Sequence, residues 1–549
     1  MSQAMLDNNS NRPQAEMAIA PRHKALANNL DRRFDFIVCG AGASGSVIAG
    51  RLAANPDVKV LLLEAGESDE LELVMDPTLW VRTIGSEMDW GFVAARNSQL
   101  NGRAIPYSMG KVLGGSSSMN VSTWSRGHRA DWDAYAAETG DAAWGYEAVL
   151  DAYRRRIEDW KGSPDPDYRG SGGPMHVQPA PDLHPFFSAL LEAAEANGFQ
   201  RFENPNGRMM EADGGCAPVD EIIKDGRRQS VFRSYAHARL NQANLTVLTR
   251  ALVTRIVFNG NRAAGVEVFR WRAASLRSRA GSHRFSRRHP DPETPDAIRR
   301  RRSGGAGEVR HSRRARPAGR GAKSSRSRRV GLRLGRDGKA AAEGAEESGG
   351  MLLEISVGAR RAELLPLRKS GTGHNAENQL RFRSSESSWS LFVGMRPASR
   401  GAVRLTGPGP SDPLDIQANY LADPRDLEDL KIGIARAREI GNAAPLRPYA
   451  RGEEAPGRLD QASLEQFIRN GLVTFWHQCG TAKMGRDGMS VVDSALKVYG
   501  VQGLRVADGS VLPRVTTGNT MAPCVVIGER AAAMLQDEHG ASSMAQIAK

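Results

Sequence analysis

One stretch near the start of the chain, FDFIVCGAGASGSVIAGRLAANPDVKVLLLEAGE from Phe34, constrains the fold more than any other feature. A short apolar run precedes three glycines in GxGxxG spacing, Gly40, Gly42 and Gly45. An apolar helical pattern follows, and then a second apolar run that ends at Glu64. Strand, glycine turn, helix and strand in this order predict a β-α-β unit of a parallel sheet.

Each glycine of this turn has a physical reason. Gly40 permits the tight turn, Gly42 lets backbone amides approach a pyrophosphate, and Gly45 lets the helix pack closely on the strand. The helix N-terminus then faces the phosphates, and Glu64 is placed to accept hydrogen bonds from ribose hydroxyls. The stretch predicts a bound adenine dinucleotide, but NAD and FAD present the same ADP half to such a turn.

The formal net charge of +13 is concentrated in residues 271–370. This block holds 26 basic and 10 acidic residues, so the other parts of the 549-residue chain carry 49 basic and 52 acidic residues. Three interpretations stay open: an arm that neutralises nucleic-acid phosphates, a solvated insertion, or a segment translated out of frame. We favour the third, because a GC-rich gene read in a wrong frame yields mainly Arg, Ala, Gly, Pro and Ser.

The cysteines and the apolar runs exclude several classes of protein. The four cysteines are far apart and form no CxxC pair, which argues against a disulfide framework and against a metal site. No apolar run approaches the ~20 residues needed to span a bilayer, and no signal-peptide core precedes Phe34. We therefore expect a cytoplasmic protein without a membrane span.

Three further stretches contain residues that could contact a cofactor or a substrate. They are GKVLGGSSSMNVSTWSRG at 110–127, TFWHQCGTAKMG at 474–485, and VVDSALKVYGVQGLRVADGSVLPRVTTGNTMAPCVVIGERAA at 491–532. The first offers small side chains and free amides against which a planar ring can lie. His477 in the second is either a satisfied core histidine or a base for a hydroxyl proton. Asn519 in the third either holds a turn or donates to an alcohol oxygen.

In their order and spacing these stretches resemble the glucose–methanol–choline oxidoreductase family, a group of FAD-dependent alcohol dehydrogenases and oxidases. Weaker matches, among them GRRQSVFRSYAHARL from Gly226, extend the resemblance over most of the chain outside 271–370. The resemblance implies an α/β fold with a Rossmann-like FAD-binding domain on a parallel sheet. It also implies a discontinuous substrate domain with an antiparallel sheet.

The implied domains alternate along the chain. The FAD-binding domain takes 34–160, 225–270 and 490–549, the substrate domain takes 161–224 and 371–489, and the residues left over are a disordered N-terminal segment, 1–33, and the anomalous Arg-rich segment, 271–370.

The resemblance also implies roles for single residues. His477 is the catalytic base, and Asn519 is its partner at the substrate oxygen. Met119 stands where some members carry a histidine bonded covalently to the flavin, so we expect tightly bound, non-covalent FAD. The positions implied to contact FAD are Gly40, Gly42, Ala43, Ser44, Gly45, Glu64, Ala65, Gly110, Gly114, Gly115, Ser116, Asn120, Val121, Val253, Trp476, Asp508, Gly509, Asn519, Thr520 and Met521.

The function implied is oxidation of an alcohol CH–OH group to a carbonyl, with hydride transfer to flavin N5, as in a choline dehydrogenase-like enzyme. The partners are a small-molecule alcohol and either oxygen or another electron acceptor. Trp476 can face a cationic head group, but an apolar tail fits as well. Two alternatives remain: a catalytically impaired member that lacks part of its FAD pocket, and a protein that binds nucleic acid through 271–370. The nucleic-acid partner is the less favoured.

Overall fold

The structure is a computed structural model that describes residues 34–181, 183–270, 322–335, 351–357, 360–370 and 387–547. The predicted disordered segment 1–33 lies outside these residues, and so does much of the Arg-rich segment. Helices and strands are mixed along the described chain. The α-helices are Ala43–Leu52, Glu72–Met75, Trp80–Thr83, Arg129–Thr139, Tyr146–Ala152, Pro185–Ala196, Val231–Tyr235, Pro424–Gly441, Gln461–Gly471 and Met521–Ile547.

A parallel sheet holds the predicted β-α-β unit. Its strands are Phe36–Cys39, Val60–Leu63 and Leu245–Leu248, with Val60–Leu63 in the middle. Every residue of the middle strand is buried, as expected for a parallel strand with neighbours on both edges and layers on both faces. The sequence prediction of a parallel sheet after Phe34 is therefore confirmed.

The glycine-turn helix, Ala43–Leu52, packs against the long C-terminal helix, Met521–Ile547. A Cβ atom at Gly528 would lie 2.7 Å from the Cβ atom of Val47, so the two helices approach too closely for any side chain there. The Ser44 hydroxyl donates to the Cys524 carbonyl oxygen at 2.7 Å and fixes the same crossing. The last part of the chain is thereby attached to the first.

A large antiparallel sheet is the second main sheet of the fold. Its strands are, in spatial order, Leu414–Gln417, Gly401–Leu405, Ala322–Gly335, Ser387–Met395, Arg360–Ser370, Met351–Val357 and Gly215–Pro218, with Gly452–Ala455 and Val473–Cys479 also paired to Ala322–Gly335. Three of these strands fall inside 271–370. The backbone of Ala322–Gly335 lies beside the strand that carries His477.

Shorter strands complete the described architecture: Phe92–Val93 with Pro106–Tyr107, Ile223–Lys224 with Arg227–Arg228, Ala251–Asn259 with Arg262–Arg270, and a mixed sheet of Thr123–Trp124, Asp220–Glu221, Met175–Pro179 and Glu158–Trp160. The fold class predicted from the sequence is thus confirmed. The division into the stretches 34–160, 161–224, 225–270, 371–489 and 490–549 stays a prediction. Within the described residues, no helix has the length and apolar character required to span a membrane.

Two large apolar clusters form the core. One surrounds the parallel sheet and includes Val47, Leu62 and Val525. The other lies under the antiparallel sheet, where the rings of Phe186 and Trp389 stack with centroids 3.7 Å apart. The site described below lies where elements of both clusters meet.

A buried ionic network connects the mixed sheet to the loop after Thr123–Trp124. Glu158 accepts hydrogen bonds from Trp124 Nε1 at 2.6 Å and from Arg126 Nε at 2.7 Å, and neither Glu158 nor Arg126 has an exposed side chain. Burial opposes ionisation of Glu158, but the two nearby guanidinium groups of Arg126 and Arg169 outweigh it and lower its pKa. Arg169 also pairs with buried Asp220 at 2.5 Å.

Glu158→Gln leaves the Arg126 guanidinium buried without its carboxylate. We expect the free energy of unfolding to fall by roughly 3–5 kcal/mol, as for other buried pairs that lose one partner. Urea unfolding followed by near-UV circular dichroism measures the change. The matched control is Arg155→Gln, which breaks an exposed pair with Asp151 and should lose less than about 1 kcal/mol. Equal losses in the two variants would contradict this assignment.

Candidate active site

The glycine turn has the geometry that a dinucleotide-binding turn requires. Gly40 has φ +96°, a backbone conformation that favours glycine. A Cβ atom at Gly45 would lie 2.0 Å from the Gly40 carbonyl oxygen. The first turn of the helix can therefore pack this closely on Gly40 only if residue 45 has no side chain. Gly42 is the N-cap of the helix Ala43–Leu52, and a Cβ atom there would meet nothing within 4 Å. Gly42 therefore borders open space rather than protein.

The second glycine-rich segment crosses directly over this turn. The Gly114 amide donates to the Ala41 carbonyl oxygen at 2.8 Å. A Cβ atom at Gly115 would lie 2.8 Å from the Gly42 Cα atom. Ser116 closes the same segment, because its hydroxyl accepts a hydrogen bond from the Gly110 amide at 3.1 Å. The structure thus brings together two segments that the sequence singled out separately.

Glu64 is buried at the end of the middle parallel strand and braces both neighbouring loops. One carboxylate oxygen accepts from the Ala41 amide at 2.9 Å and the other from the Gly66 amide at 2.8 Å. Burial raises the pKa of Glu64, and these amide hydrogen bonds oppose the shift. Each carboxylate oxygen can accept a second hydrogen bond. The predicted contact with a ribose hydroxyl is compatible with this arrangement and stays a prediction.

His477 is positioned by an irregularity in its strand. The pairing of Val473–Cys479 with its neighbour shifts in register between Thr474 and Gln478. Within this bulge Trp476 has φ +58°, and its amide donates to the Thr474 hydroxyl at 3.0 Å. Bulges of this kind redirect side chains and are frequent beside active sites. The buried His477 ring lies edge-on to Phe475, with centroids 5.2 Å apart.

Asn519 lies next to His477 although 42 residues separate them. The distance from Asn519 Nδ2 to His477 Nε2 is 3.3 Å. The side-chain amide of Asn519 therefore lies within hydrogen-bonding distance of the His477 ring. Gly518, with φ +84°, allows the turn that presents Asn519 just before the C-terminal helix. The structure therefore brings His477 and Asn519 together, and their catalytic roles stay predictions.

Trp476, the residue before His477, contacts a second tryptophan, Trp80. Trp80 and Trp476 meet edge to face, with ring centroids 6.4 Å apart and an interplanar angle of 81°. Both side chains are half-buried. Rings at right angles form two walls of a corner, which suits an apolar or cationic group of compact shape. Trp80 was not predicted as a site residue, because nothing in its local sequence places it near His477.

Asn120 links the second glycine segment to the C-terminal helix. Its Nδ2 atom lies 3.1 Å from the sulfur atom of Met521, and its side-chain oxygen accepts from the Ser122 amide at 3.0 Å. Arg228 donates to the backbone and side-chain oxygens of Asn120 at 2.6 and 2.9 Å. Arg228 belongs to the stretch GRRQSVFRSYAHARL, but no role was predicted for it. Two consecutive arginines in a short strand give no local signal that one of them is buried.

The remaining predicted contact residues are more dispersed. Val253 packs on Leu61, Leu63 and Leu248 at one end of the parallel sheet, which is also what ordinary strand core would do. Asp508 is exposed and accepts from the Ser510 amide at 2.8 Å. Ala43 and Ser44 lie in the turn helix, Ala65 follows Glu64, Val121 follows Asn120, Gly509 follows Asp508, and Thr520 precedes Met521. Their contacts with a cofactor stay predictions.

Two observations on the described residues are compatible with a bound polar ligand. Open space borders Gly42, where a pyrophosphate would approach the backbone. Near Asn519, the buried hydroxyls of Thr516 and Thr517 have no hydrogen-bond partner among the described residues. Among all the residues that the structure describes, no group of three or more His, Cys, Asp or Glu residues is arranged to hold a metal ion.

Comparison with known proteins identifies relatives that match most of the chain. Family models described as GMC oxidoreductase match residues 34–281 and 397–528. Oxygen-dependent choline dehydrogenases from Klebsiella pneumoniae and Escherichia coli are 32% and 31% identical over 91% and 92% of this chain, and 95% and 94% of their own lengths are covered. Pyridoxine 4-oxidase from Mesorbium loti has a TM-score of 0.75 and 25% identity, with 92% of this chain and 99% of that chain covered.

A formate oxidase from Aspergillus oryzae shares the fold at lower identity. Its TM-score is 0.74 at 21% identity, with 92% of this chain and 98% of that chain covered.

Gly42→Ala and Gly45→Ala separate binding from folding at the glycine turn. The alanine at position 42 meets no protein atom, so we expect an unchanged melting temperature. Dinucleotide affinity should fall at least about tenfold, because the added methyl group would keep the pyrophosphate away from the backbone and one charge-assisted amide–phosphate hydrogen bond is worth about 1.5–3 kcal/mol. Gly45→Ala overpacks the turn and should lower the melting temperature of the apoprotein. Thermal melts and FAD titration of the apoproteins measure both. Unchanged affinity in Gly42→Ala would argue against a pyrophosphate at this turn.

Proposed function

Because the chain belongs to the GMC oxidoreductase family, we propose that it is an FAD-dependent oxidoreductase that converts an alcohol CH–OH group to a carbonyl. The observation that carries the proposal is the 3.3 Å contact between Asn519 Nδ2 and His477 Nε2. A base and a neutral hydrogen-bond donor side by side are what removal of a hydroxyl proton requires. The glycine turn is joined to this pair through the C-terminal helix, which begins two residues after Asn519 and whose Cys524 carbonyl oxygen accepts from the Ser44 hydroxyl.

The two side chains divide the work at the substrate oxygen. His477 Nε2 accepts the hydroxyl proton, and Asn519 Nδ2 donates a hydrogen bond to the same oxygen as negative charge develops on it. FAD supplies the hydride acceptor, N5 of its ring system. The substrate loses one proton and one hydride, and a carbonyl product leaves. The bulge at Trp476 holds the imidazole in place while its charge changes.

We infer that FAD is held without a covalent bond. Met119 lies in a small apolar cluster with Val74, Met88 and Val112, and its thioether is not a nucleophile that forms a flavin bond. The residues that would hold FAD are those around the glycine turn and the segment 110–121. The hydrogen bonds from ribose to Glu64 and from pyrophosphate to the Gly42 region belong to this proposal.

For the substrate we propose a primary alcohol with a compact cationic head, of the choline type. The names of the relatives at 31–32% identity favour it. So does the corner formed by Trp80 and Trp476, since ring faces attract quaternary ammonium groups. Oxygen is the acceptor that those names indicate. Neither the impaired-member alternative nor the nucleic-acid alternative receives support from the relatives, and the cytoplasmic location stays a prediction.

His477→Ala tests the base directly. We expect the rate of anaerobic flavin reduction by alcohol to fall about 10²- to 10⁴-fold, since that is what a general base contributes. Bound flavin should be retained, and stopped-flow absorbance measures the rate. His176→Ala is the control, because His176 bonds to Gln178 in a different sheet and should leave the rate unchanged. A wild-type rate in His477→Ala would overturn the proposed role.

A comparison of choline with 3,3-dimethylbutan-1-ol, its neutral analogue of the same shape, tests the substrate class. We expect choline to have the higher kcat/KM. Trp80→Leu and Trp476→Leu should each reduce this preference about 2- to 30-fold, because a cation–π contact contributes about 0.5–2 kcal/mol. If the wild-type enzyme oxidises both alcohols equally well, the cationic substrate is wrong and an apolar one is indicated.

A further inference from the structure

Arg228 is a buried cation whose hydrogen bonds all go to neutral groups. Its side chain has no exposed surface. Nε donates to the Val74 carbonyl oxygen at 2.9 Å, and one terminal nitrogen donates to both oxygens of Asn120 and to the Ser122 hydroxyl at 2.8 Å. The other terminal nitrogen has no hydrogen-bond partner among the described residues. No carboxylate of those residues pairs with Arg228.

A buried guanidinium without a carboxylate partner lowers the stability of the folded protein. A buried charge without an opposite charge opposes folding, and most proteins pair it or neutralise it. Burial lowers the pKa of Arg228 to about 10, and the more distant Asp76 carboxylate opposes the shift. The guanidinium is therefore still charged at neutral pH. Its positive charge is available to any ligand nearby that gains negative charge.

The neighbours of Arg228 lead to the catalytic pair in two steps. Arg228 holds Asn120, and Asn120 contacts the sulfur of Met521 at 3.1 Å. Met521 begins the C-terminal helix two residues after Asn519, which contacts His477. The charge thus stands directly behind the segment that is proposed to line the flavin.

We propose that Arg228 is a positioning residue that fixes Asn120 against the flavin, and that its uncompensated charge raises the flavin reduction potential. The inference rests on the proposed function, in which FAD lies against Asn120. Oxidation sends the hydroxyl proton to His477 and a hydride to the flavin, so the ring system gains one negative charge. A fixed positive charge stabilises that reduced form over the oxidised form.

Three substitutions of Arg228 separate charge from shape. Arg228→Met and Arg228→Gln remove the charge, and Arg228→Lys keeps it without the guanidinium fork. In the two neutral variants we expect the ratio of reduced to oxidised flavin at a fixed potential to fall about tenfold, equal to about 30 mV for a two-electron couple. Arg228→Lys should stay close to the wild-type potential. Redox titration of each purified holoprotein against a reference dye measures the midpoint.

The neighbouring Arg227 provides the matched control. It is exposed and pairs with exposed Glu72 at 2.8 Å, so Arg227→Met removes a charge of the same sign one residue away. Its potential should equal that of the wild type. A wild-type midpoint in a neutral Arg228 variant, or an equal fall in Arg228→Lys and Arg228→Met, would overturn the proposal.

Two further measurements distinguish failure of the proposed role of Arg228 from failure of the proposed placement of FAD. If both neutral variants fail to retain FAD, Arg228→Lys decides. Burial depresses the pKa of its ammonium, so its potential must fall below the wild-type curve at a pH below about 10, where Arg228 is still charged. Parallel pH profiles would overturn the proposal. Asn120→Ala tests the underlying placement, since it should change the flavin absorption spectrum. If Asn120→Ala leaves the spectrum and potential unchanged, the placement of FAD fails, whereas an effect of Asn120→Ala without one of Arg228→Met refutes only the role of Arg228.

Discussion

The close approach of three backbones at the glycine turn is the constraint on which the site depends. The segment 110–121 reaches the turn through the Gly114 amide and leaves no room for a side chain at Gly115. The C-terminal helix reaches it through the Ser44–Cys524 hydrogen bond. The Ser44–Cys524 hydrogen bond joins residues 480 apart in the chain, so the turn can be complete only when the whole fold has closed.

The contact between Asn519 and His477, the proposed catalytic pair, depends on that closure. Asn519 directly precedes the helix that is attached to the turn, and its loop is held from the other side because the Thr517 amide donates to buried Asp131 at 2.7 Å. His477 is set independently, by the bulge in an antiparallel strand. The distance between Asn519 Nδ2 and His477 Nε2 is therefore set by two independent parts of the fold, the loop before the C-terminal helix and the bulged strand. Packing, rather than the pair's own weak hydrogen bond, must hold the two groups together.

Local geometry could be predicted from the sequence, and long-range placement could not. The β-α-β unit and the glycine turn follow from residue spacing, because backbone conformation there depends on neighbours in the sequence. The fold class and the family were predicted correctly from the motifs. The amide contacts of Glu64, the corner formed by Trp80, and the burial of Arg228 depend on partners that are distant in sequence. The pairing of Ala322–Gly335 with the His477 strand was not predicted either, since the composition of its segment favoured translation out of frame.

Arg228 differs from the other buried arginines in the groups that accept its hydrogen bonds. Arg126 and Arg169 are as deeply buried, and the fold supplies each with a buried carboxylate, Glu158 and Asp220. Paired charges of this kind brace loops and leave little net field. At Arg228 the same fold supplies carbonyl, amide and hydroxyl oxygens instead. Neutral acceptors anchor a guanidinium without cancelling its charge, which is the arrangement expected where a neighbouring ligand, rather than a side chain, is to carry the negative charge.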